Sequence, residues 1–308
     1  MGKKYPLQRT LKDPTFDHIF KKAADLTICG MSNPSTASMY YIEPTNCKFR
    51  FNDLKEFIIN NIGGYVYSRA KVKQIYDSSQ NPASVGSQAM LKFMQAYGSN
   101  SETVLGEILL YVFLEQVLNA PKIMSKFEID AKNGEIRSKC DGIYLLSTTK
   151  YQQPFHQLVF GASDIVGNLT LAIDRAFDKI VEIESNADSE LLMVENTPQW
   201  TIFDEDTTEY MVKLMRPQSS EDHKPDMAFG IFLGYTIPTI NESDSLTYEA
   251  KVKEQLIKDI NGIQSYIAEK IKNLKLAGYN FHFYIMPFNN APEDKVNIIS
   301  EMLYGGCR

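Results

Sequence analysis

The spacing of apolar residues divides the chain into a helical stretch and a strand-like stretch. From Asp53 to about Asn119 the spacing is helical, in DLKEFIINNI ending at Gly63-Gly64, YVYSRAKVKQIY, PASVGSQAMLKFMQAY and the apolar run GEILLYVFLEQVL. After this stretch, apolar residues recur at every second position, as in a β-strand. KIMSKFEID and EIRSKCDGIYLL flank Asn133-Gly134, a strong hairpin turn, and HQLVFG is a short apolar strand.

The second half of the chain alternates helices and strands. It predicts a helix over LTLAIDRAFDKIVEI, a possible strand at WTIF, a helix around EYMVKLM, an apolar strand MAFGIFLGYTI, a long helix from about Thr247 to Ala277 capped at Gly278, a strand FHFYIMPF and a final helix PEDKVNIISEML. Helix-linked strands run parallel and the hairpin runs antiparallel. We therefore predict a three-layer α/β fold with a mixed central sheet. Residues 1–99 are expected to form a largely helical region packed on a core of residues 100–308.

Composition narrows the class of protein. The 308 residues are 44% hydrophobic and 23% charged, as in soluble globular proteins. No apolar run reaches the roughly 18 to 20 residues that span a bilayer, and no secretory signal is present, so we expect a cytoplasmic protein. The four cysteines and four histidines are scattered without paired spacings, which argues against a disulfide framework or a structural zinc site.

The charge distribution allows a local basic groove. A net charge of −6 argues against coating of the whole surface by nucleic acid. Two groups of cations are candidates for holding phosphates: Arg69, Lys71 and Lys73, and Lys126, Arg137 and Lys139. The alternative for each group is a solvated face.

Glu107 is the first candidate for chemistry. It is the only charged residue between Val104 and Leu114 in an apolar helix. Burial of an unpaired carboxylate costs several kcal/mol, so this residue needs a cation, a hydrogen-bond network or a raised pKa. A salt bridge to a nearby lysine is the alternative.

Two further carboxylates follow in predicted strands. Asp141 interrupts an apolar strand, where aspartate is a poor strand former. Asp164 follows HQLVFG, and the carboxyl end of a strand is where α/β folds place chemistry. The alternatives are a solvent-facing Asp141 on an edge strand, and a helix N-cap formed by Ser163 and Asp164.

Together the three carboxylates indicate a magnesium site. One helix and two strands that each deliver an acid are typical of metal-dependent phosphodiesterases of the PD-(D/E)XK nuclease type, in which Mg²⁺ or Mn²⁺ activates water and polarises the phosphoryl oxygen. A lysine near the attacking water completes such a site. Lys139 is one candidate, two residues from Asp141 on the same strand face, and Lys126 is the other.

From about residue 100 onwards, the chain resembles the HamA family of Hachiman antiphage defence and the related AbpA proteins. The resemblance lies in VLGEILLYVFLEQVL, KCDGIYLL, QLVFGASDIVGNLTLAIDRAF, AFGIFLGYT and FHFYIMPFNNAPEDKVNIISEML. It implies a PD-(D/E)XK nuclease-like fold that binds DNA and acts with a superfamily 2 helicase. The family's helix glutamate falls on Glu107 and its strand aspartate on Asp141.

The chain departs from this family at the third element. The family's Gly-Glu-x-Lys falls on residues 161–164, where Ala162 and Asp164 replace the glutamate and the lysine. Two hypotheses rest on this resemblance, and a third, an unrelated α/β enzyme or interaction domain, is favoured if Glu107 and Asp141 lie far apart. The chain is a metal-dependent DNA endonuclease in which Asp164 acts as a migrated ligand, or it is a degenerate subunit that binds DNA or regulates the helicase without cutting.

Overall fold

Strands and helices both occur throughout the part of the chain that the computed structural model describes, which is residues 7–29, 33, 35–79, 81, 83–98, 102–132, 139–150, 153–196, 205–215 and 225–305. The strands are β1 (Phe20–Thr27), β2 (Thr36–Ile42), β3 (Pro44–Thr45), β4 (Lys48–Phe49), β5 (Lys122–Ser125), β6 (Gly142–Lys150), β7 (Gln153–Ile165), β8 (Asp226–Thr236) and β9 (Asn280–Phe288). The helices are α1 (Phe16–Ile19), α2 (Asn52–Val66), α3 (Arg69–Ser79), α4 (Ala83–Tyr97), α5 (Val104–Gln116), α6 (Lys126–Lys132), α7 (Leu169–Ser185), α8 (Ala187–Asn196), α9 (Glu205–Met215), α10 (Ser245–Asn273) and α11 (Ala291–Tyr304). No helix within these ranges is long and apolar enough to cross a membrane.

One mixed sheet runs through the molecule in the order β1-β2-β9-β8-β7-β6-β5. Strands β2, β9, β8 and β7 are mutually parallel, while β1 pairs antiparallel with β2, and β6 with both of its neighbours. The apolar strand β8 lies at the centre, as its continuous run of buried residues predicts. The mixed sheet of the predicted α/β fold is confirmed.

Helices cover both faces of this sheet and build two apolar cores. On one face, α7 and α10 pack on Leu158, Phe160 and Ala162 of β7. On the other face, α5 packs with α2 and α11 on Val159 and Ile165 of the same strand. Because successive side chains of a strand point to opposite faces, β7 has one α7 face and one α5 face. This alternation decides which side chains of β7 meet in the candidate site.

Two strands from the first fifty residues, β1 and β2, belong to this sheet. The helices α2, α3 and α4 lie in the region where helices were expected, but β1 and β2 form one edge of the sheet, and β2 pairs in parallel with β9 from Thr36↔His282 to Met39↔Ile285. That pairing joins positions almost 250 residues apart. It is a non-local interaction, which local periodicity does not predict.

Gly63 and Gly64 do not end the second helix, which runs on to Val66. A Cβ on Gly64 would lie 2.5 Å from the hydroxyl of Tyr111, and one on Gly63 would lie 2.9 Å from Val85. The two glycines therefore permit close packing of α2 against α4 and α5, and the expectation of a helix stop was wrong.

The expected hairpin is only partly present. Strand β5 pairs antiparallel with β6, but it ends at Ser125 and the chain then forms α6 over Lys126–Lys132. The hydroxyl of Ser125 accepts a hydrogen bond from the backbone of Glu128, 3.2 Å away, as a helix N-cap does. The predicted strand KIMSKFEID is therefore wrong beyond Ser125, and Asn133-Gly134 lie outside the described residues.

Two helix boundaries also differ from expectation. Strand β7 continues through Ser163 and Asp164 to Ile165, and Asn168 caps α7 by accepting a hydrogen bond from the backbone of Leu171. The long helix ends at Asn273, where Lys275 adopts the left-handed conformation expected for Gly278. The helix around EYMVKLM is confirmed as α9, and WTIF lies outside the described residues.

Candidate active site

Asp141 lies immediately before β6 and beside the carboxyl end of β7. Its backbone N–H donates to the carbonyl of Gly161 at 2.8 Å. The next residue, Gly142, has a φ of 154°, a conformation that favours glycine. A Cβ there would also lie 2.9 Å from the hydroxyl of Tyr144. Glycine therefore allows the chain to turn directly after Asp141, which buries the carboxylate to 3% exposure.

Three donors converge on the Asp141 carboxylate. The backbone N–H and the hydroxyl of Ser163 each donate to Oδ2 at 2.7 Å. The ammonium group of Lys179 donates to Oδ2 at 2.9 Å and to Oδ1 at 3.3 Å. A carboxylate that accepts several such hydrogen bonds is held in one orientation.

Glu107 lies in the first turn of α5 and is 5% exposed. Tyr65 of α2 donates a hydrogen bond to its Oε2 at 3.1 Å. Burial and the neighbouring charge of Asp141 raise the pKa of Glu107 to about 7, although Thr103, Lys179 and Tyr65 oppose the rise. A buried carboxyl group beside a second carboxylate is a favourable place for a cation.

Lys179 is a residue of the candidate site that the sequence did not predict. It lies on α7 beside the apolar stripe of Ala172, Ala176 and Ile180, and its ammonium group also donates to the carbonyl of Ser163 at 2.8 Å. Interactions with Asp141, Glu107 and Asp164 raise its pKa despite burial. The available signal was weak: Lys179 is the only lysine in α7 and borders its buried stripe.

The side chain of Asp164 lies on the α7 side of the sheet, opposite to the side on which Glu107 lies. Ala162 packs with the α7 side, whereas Ser163 faces α5, where its hydroxyl lies 3.0 Å from a Cβ built on Gly106. Alternation therefore turns Asp164 away from the face on which Glu107 lies. Burial raises the pKa of Asp164, and the cations Lys179, Arg175 and Lys295 oppose the rise. Asp164 forms an ion pair with Arg175 at 3.8 Å.

The two lysines proposed from the sequence form other ion pairs. Lys139 pairs with Glu182 of α7 at 3.2 Å in an exposed position, and Lys126 pairs with Asp130 one helical turn later at 3.1 Å. In the described residues, the lysine bonded to Asp141 is Lys179. The lysine nearest to Asp141 in the chain is thus not the lysine bonded to it in space.

The residues proposed to hold DNA are spread over several elements. Arg69 donates to the carbonyl groups of Gln8 and Lys122, which ties α3 to the N-terminal segment and β5. Lys71 bonds to Gln74, and Lys73 lines a cavity of about 560 Å³ together with Arg69 and Asp77. Lys126 and Lys139 form the ion pairs given above, and Arg137 lies outside the described residues. Contact with DNA stays a prediction for all of them.

Lys122, a further cation near the site, belongs to a buried ion pair. Lys122 is fully buried, where its ammonium group bonds to Glu128 and donates to the carbonyl of Tyr67 at 3.0 Å. Ser125 bonds to the same carboxylate and to the carbonyl of Tyr65. These contacts position Tyr65, which in turn bonds Glu107.

Glu107 and Asp141 form the pair of carboxylates that could hold a divalent cation. Across the described ranges, no group of three or more His, Cys, Asp and Glu side chains is placed to hold a metal ion. Magnesium, however, usually takes only one or two carboxylates and keeps several waters. Both side chains are buried carboxylates, the oxygen ligands that magnesium prefers, and the charge of Asp141 is close enough to contribute to the raised pKa of Glu107, so this pair fits the metal.

The pKa of Glu107 predicts how stability depends on pH. Because its pKa is raised by folding, the protonated form is favoured in the folded state, and stability is lost as pH rises from about 4.5 through about 7. A rise of this size corresponds to up to about 3 kcal/mol. Urea denaturation in EDTA should show that Glu107→Gln gains stability over the wild type at pH 8 and not at pH 4. An equal difference at both pH values would contradict the raised pKa.

Comparison with known proteins identifies a family that this chain matches. A model of the family described as HamA matches residues 17–302. The match therefore includes both edges of the sheet and all residues of the candidate site. No curated protein gives a significant match.

Proposed function

Because the chain belongs to the HamA family of Hachiman antiphage defence proteins, we propose that it is a metal-dependent DNA endonuclease. The observation that carries this proposal is the buried pair Glu107 and Asp141 with the ammonium group of Lys179 bonded to Asp141. Two acids that could hold a metal ion, one in a helix and one immediately before a strand, support metal-assisted phosphodiester hydrolysis, and Lys179 of a second helix holds one of these acids in place.

Each side chain has a distinct part in the proposed chemistry. Glu107 and Asp141 would hold Mg²⁺ or Mn²⁺, which polarises a phosphoryl oxygen and makes bound water a stronger nucleophile. Ser163 fixes the orientation of Asp141 by two hydrogen bonds. Tyr65 orients Glu107 from α2. Asp164, the third ligand in the sequence-based hypothesis, faces the other layer and is not needed in this two-carboxylate arrangement.

Family membership also supports two partners. We propose that the substrate is DNA and that a superfamily 2 helicase acts with this protein. Lys179, Arg175 and Lys295 all act electrostatically on Asp164, which follows Ser163 in β7, and so they supply positive charge beside the site. Phosphate groups are the natural counterions for such cations.

A cleavage assay tests the proposed function. Plasmid and linear DNA are incubated with the protein in Mg²⁺ or Mn²⁺, with and without the helicase, and with EDTA in parallel. We expect cutting that depends on metal and stops in EDTA. Complete absence of cutting with every metal, with the helicase present, would exclude the nuclease.

One observation favours a second candidate function. Oδ2 of Asp141 already accepts three hydrogen bonds, and Asp164 is turned to the opposite face. A subunit of this kind would bind DNA or regulate the helicase without cutting. DNA binding and helicase binding in a gel-shift and a pull-down assay, together with no cleavage, would favour this function.

A further inference from the structure

We propose that Lys179 is a positioning residue for Asp141, and that it supplies from α7 the lysine that β7 lacks. This inference rests on the proposed function, because it assigns Lys179 a role at the same metal site. Asp164 stands where the family resemblance places a strand lysine, but it faces away from Glu107. The ammonium group beside the two acids instead comes from a helix that packs against that strand.

The three ammonium hydrogens of Lys179 account for its role. They match three contacts, at 2.9 Å to Oδ2 of Asp141, at 2.8 Å to the carbonyl oxygen of Ser163 and, more weakly, at 3.3 Å to Oδ1 of Asp141. A lysine whose donors are all used has none left for water or a phosphate group. Lys179 therefore acts through Asp141 and does not itself contact the reacting atoms in this arrangement.

The contacts also form a closed loop around the carboxylate. Ser163 donates to Asp141 from its backbone N–H and its hydroxyl, while its carbonyl accepts from Lys179. Lys179 in turn donates a hydrogen bond to Asp141. Because β7 and α7 both hold the carboxylate, its orientation is fixed by two elements of the fold, and only one of its oxygens, Oδ1, is lightly bonded. Oδ1 is the atom that this arrangement leaves for a metal ion.

The ion pair of Lys179 is less exposed than the ion pair of Lys139. The side chain of Lys179 is 31% exposed and that of its partner Asp141 is 4% exposed, whereas Lys139 and its partner Glu182 are 49% and 57% exposed. Exposed ion pairs contribute little because water screens them, but a charged hydrogen bond to a buried carboxylate is strong. Asp141 is therefore held by Lys179 and not by the lysine two residues before it.

The test uses Mn²⁺ binding as well as cleavage. We compare the wild type with Lys179→Met, Lys179→Gln and Lys179→Arg, and determine Mn²⁺ affinity by EPR titration on the full chain. Loss of a group that orients a ligand typically weakens metal binding by about 10-fold to 100-fold, so we expect a loss of this size in Lys179→Met. Cutting should fall by about 100-fold because a displaced ligand disturbs the reacting geometry. Arginine, which can donate two parallel hydrogen bonds to a carboxylate, should restore most of both properties.

A matched control and a second neutral variant keep the test decisive. Lys270→Met removes a lysine of similar exposure that pairs with Asp174, also on α7, and should bind Mn²⁺ like the wild type. Should Lys179→Met fail to fold, Lys179→Gln takes its place, because its amide can keep one hydrogen bond to Asp141. Unchanged or tighter Mn²⁺ binding in the folded neutral variant would show that Lys179 does not position Asp141 and at most repels the metal cation. This result would overturn the inference.

The outcomes separate this inference from the proposed function. Weaker Mn²⁺ binding in Lys179→Met with no cutting by the wild type would support the role of Lys179 and exclude the nuclease. Cutting by the wild type that Lys179→Met retains but Lys139→Met loses would support the nuclease and overturn the inference.

Discussion

Replacement of Glu107 by glutamine is expected to abolish metal-dependent cutting and to leave the fold intact. Glutamine keeps the shape of the side chain and can still accept the hydrogen bond from Tyr65. It removes the anion that would bind the metal. Charge stabilisation by a bound metal lowers the activation barrier by several kcal/mol. Without it we expect a loss of about 1,000-fold or more in the cleavage rate. Initial rates of plasmid nicking in Mn²⁺ measure this loss.

The design of this variant separates chemistry from folding. Because the ionised Glu107 is buried beside Asp141, removal of its charge should not lower the free energy of unfolding, and at pH 8 should raise it. Glu182→Gln is the matched control, since it changes an exposed glutamate on α7. A cleavage rate in Glu107→Gln within a factor of ten of the control would exclude Glu107 as a metal ligand.

Asp141→Ala is expected to lose both cutting and stability. The alanine leaves the ammonium group of Lys179 and the two donors of Ser163 without their acceptor in a mostly buried position. Removal of one partner from a buried ion pair typically costs about 3–5 kcal/mol. We therefore expect the free energy of unfolding to fall by about this amount, with cleavage at background level. Urea denaturation at pH 7 gives the first quantity and plasmid nicking the second.

Asp174→Ala serves as the comparison for stability. Asp174 also pairs with a lysine, Lys270, but its side chain is 36% exposed. Exposed pairs of this kind contribute about 1 kcal/mol or less. Equal losses of stability in Asp141→Ala and Asp174→Ala would show that Asp141 is not the centre of a buried network. The contrast between a stable Glu107→Gln and a destabilised Asp141→Ala follows from the geometry of the two side chains, because only Asp141 has a paired ammonium group.

Several elements could be predicted from local patterns. The apolar run GEILLYVFLEQVL indicated a buried helix, and α5 is buried along nearly its whole length. The fully apolar strand MAFGIFLGYTI became the centre of the sheet. Glu107 and Asp141 stood out because each is a charge in an apolar element, and the structure buries both. Patterns of this kind arise from one segment facing one environment, so they can be seen without knowledge of the partner.

Other features depended on which segments meet. The segment KFEID alternates like a strand, but Ser125 caps it as a helix. Asp164 stood at the end of a predicted strand, and only the pairing of β7 with its neighbours shows that this strand continues to Ile165. One residue of register decides the face on which a side chain lies. That register turns Ser163, and not Asp164, towards α5.

The sequence by itself determined the α/β class, the helical segments from residue 52 to 97 and the two buried acids, since each depends on hydrophobic spacing or on the cost of a charge in an apolar segment. The tertiary structure alone decided that β1 and β2 join the same sheet, and that a lysine 38 residues after Asp141 is its partner. Both depend on contacts between segments far apart in the chain. Such contacts form because burial of apolar surface brings helices against the sheet, and no periodicity within either segment records which partner it will meet.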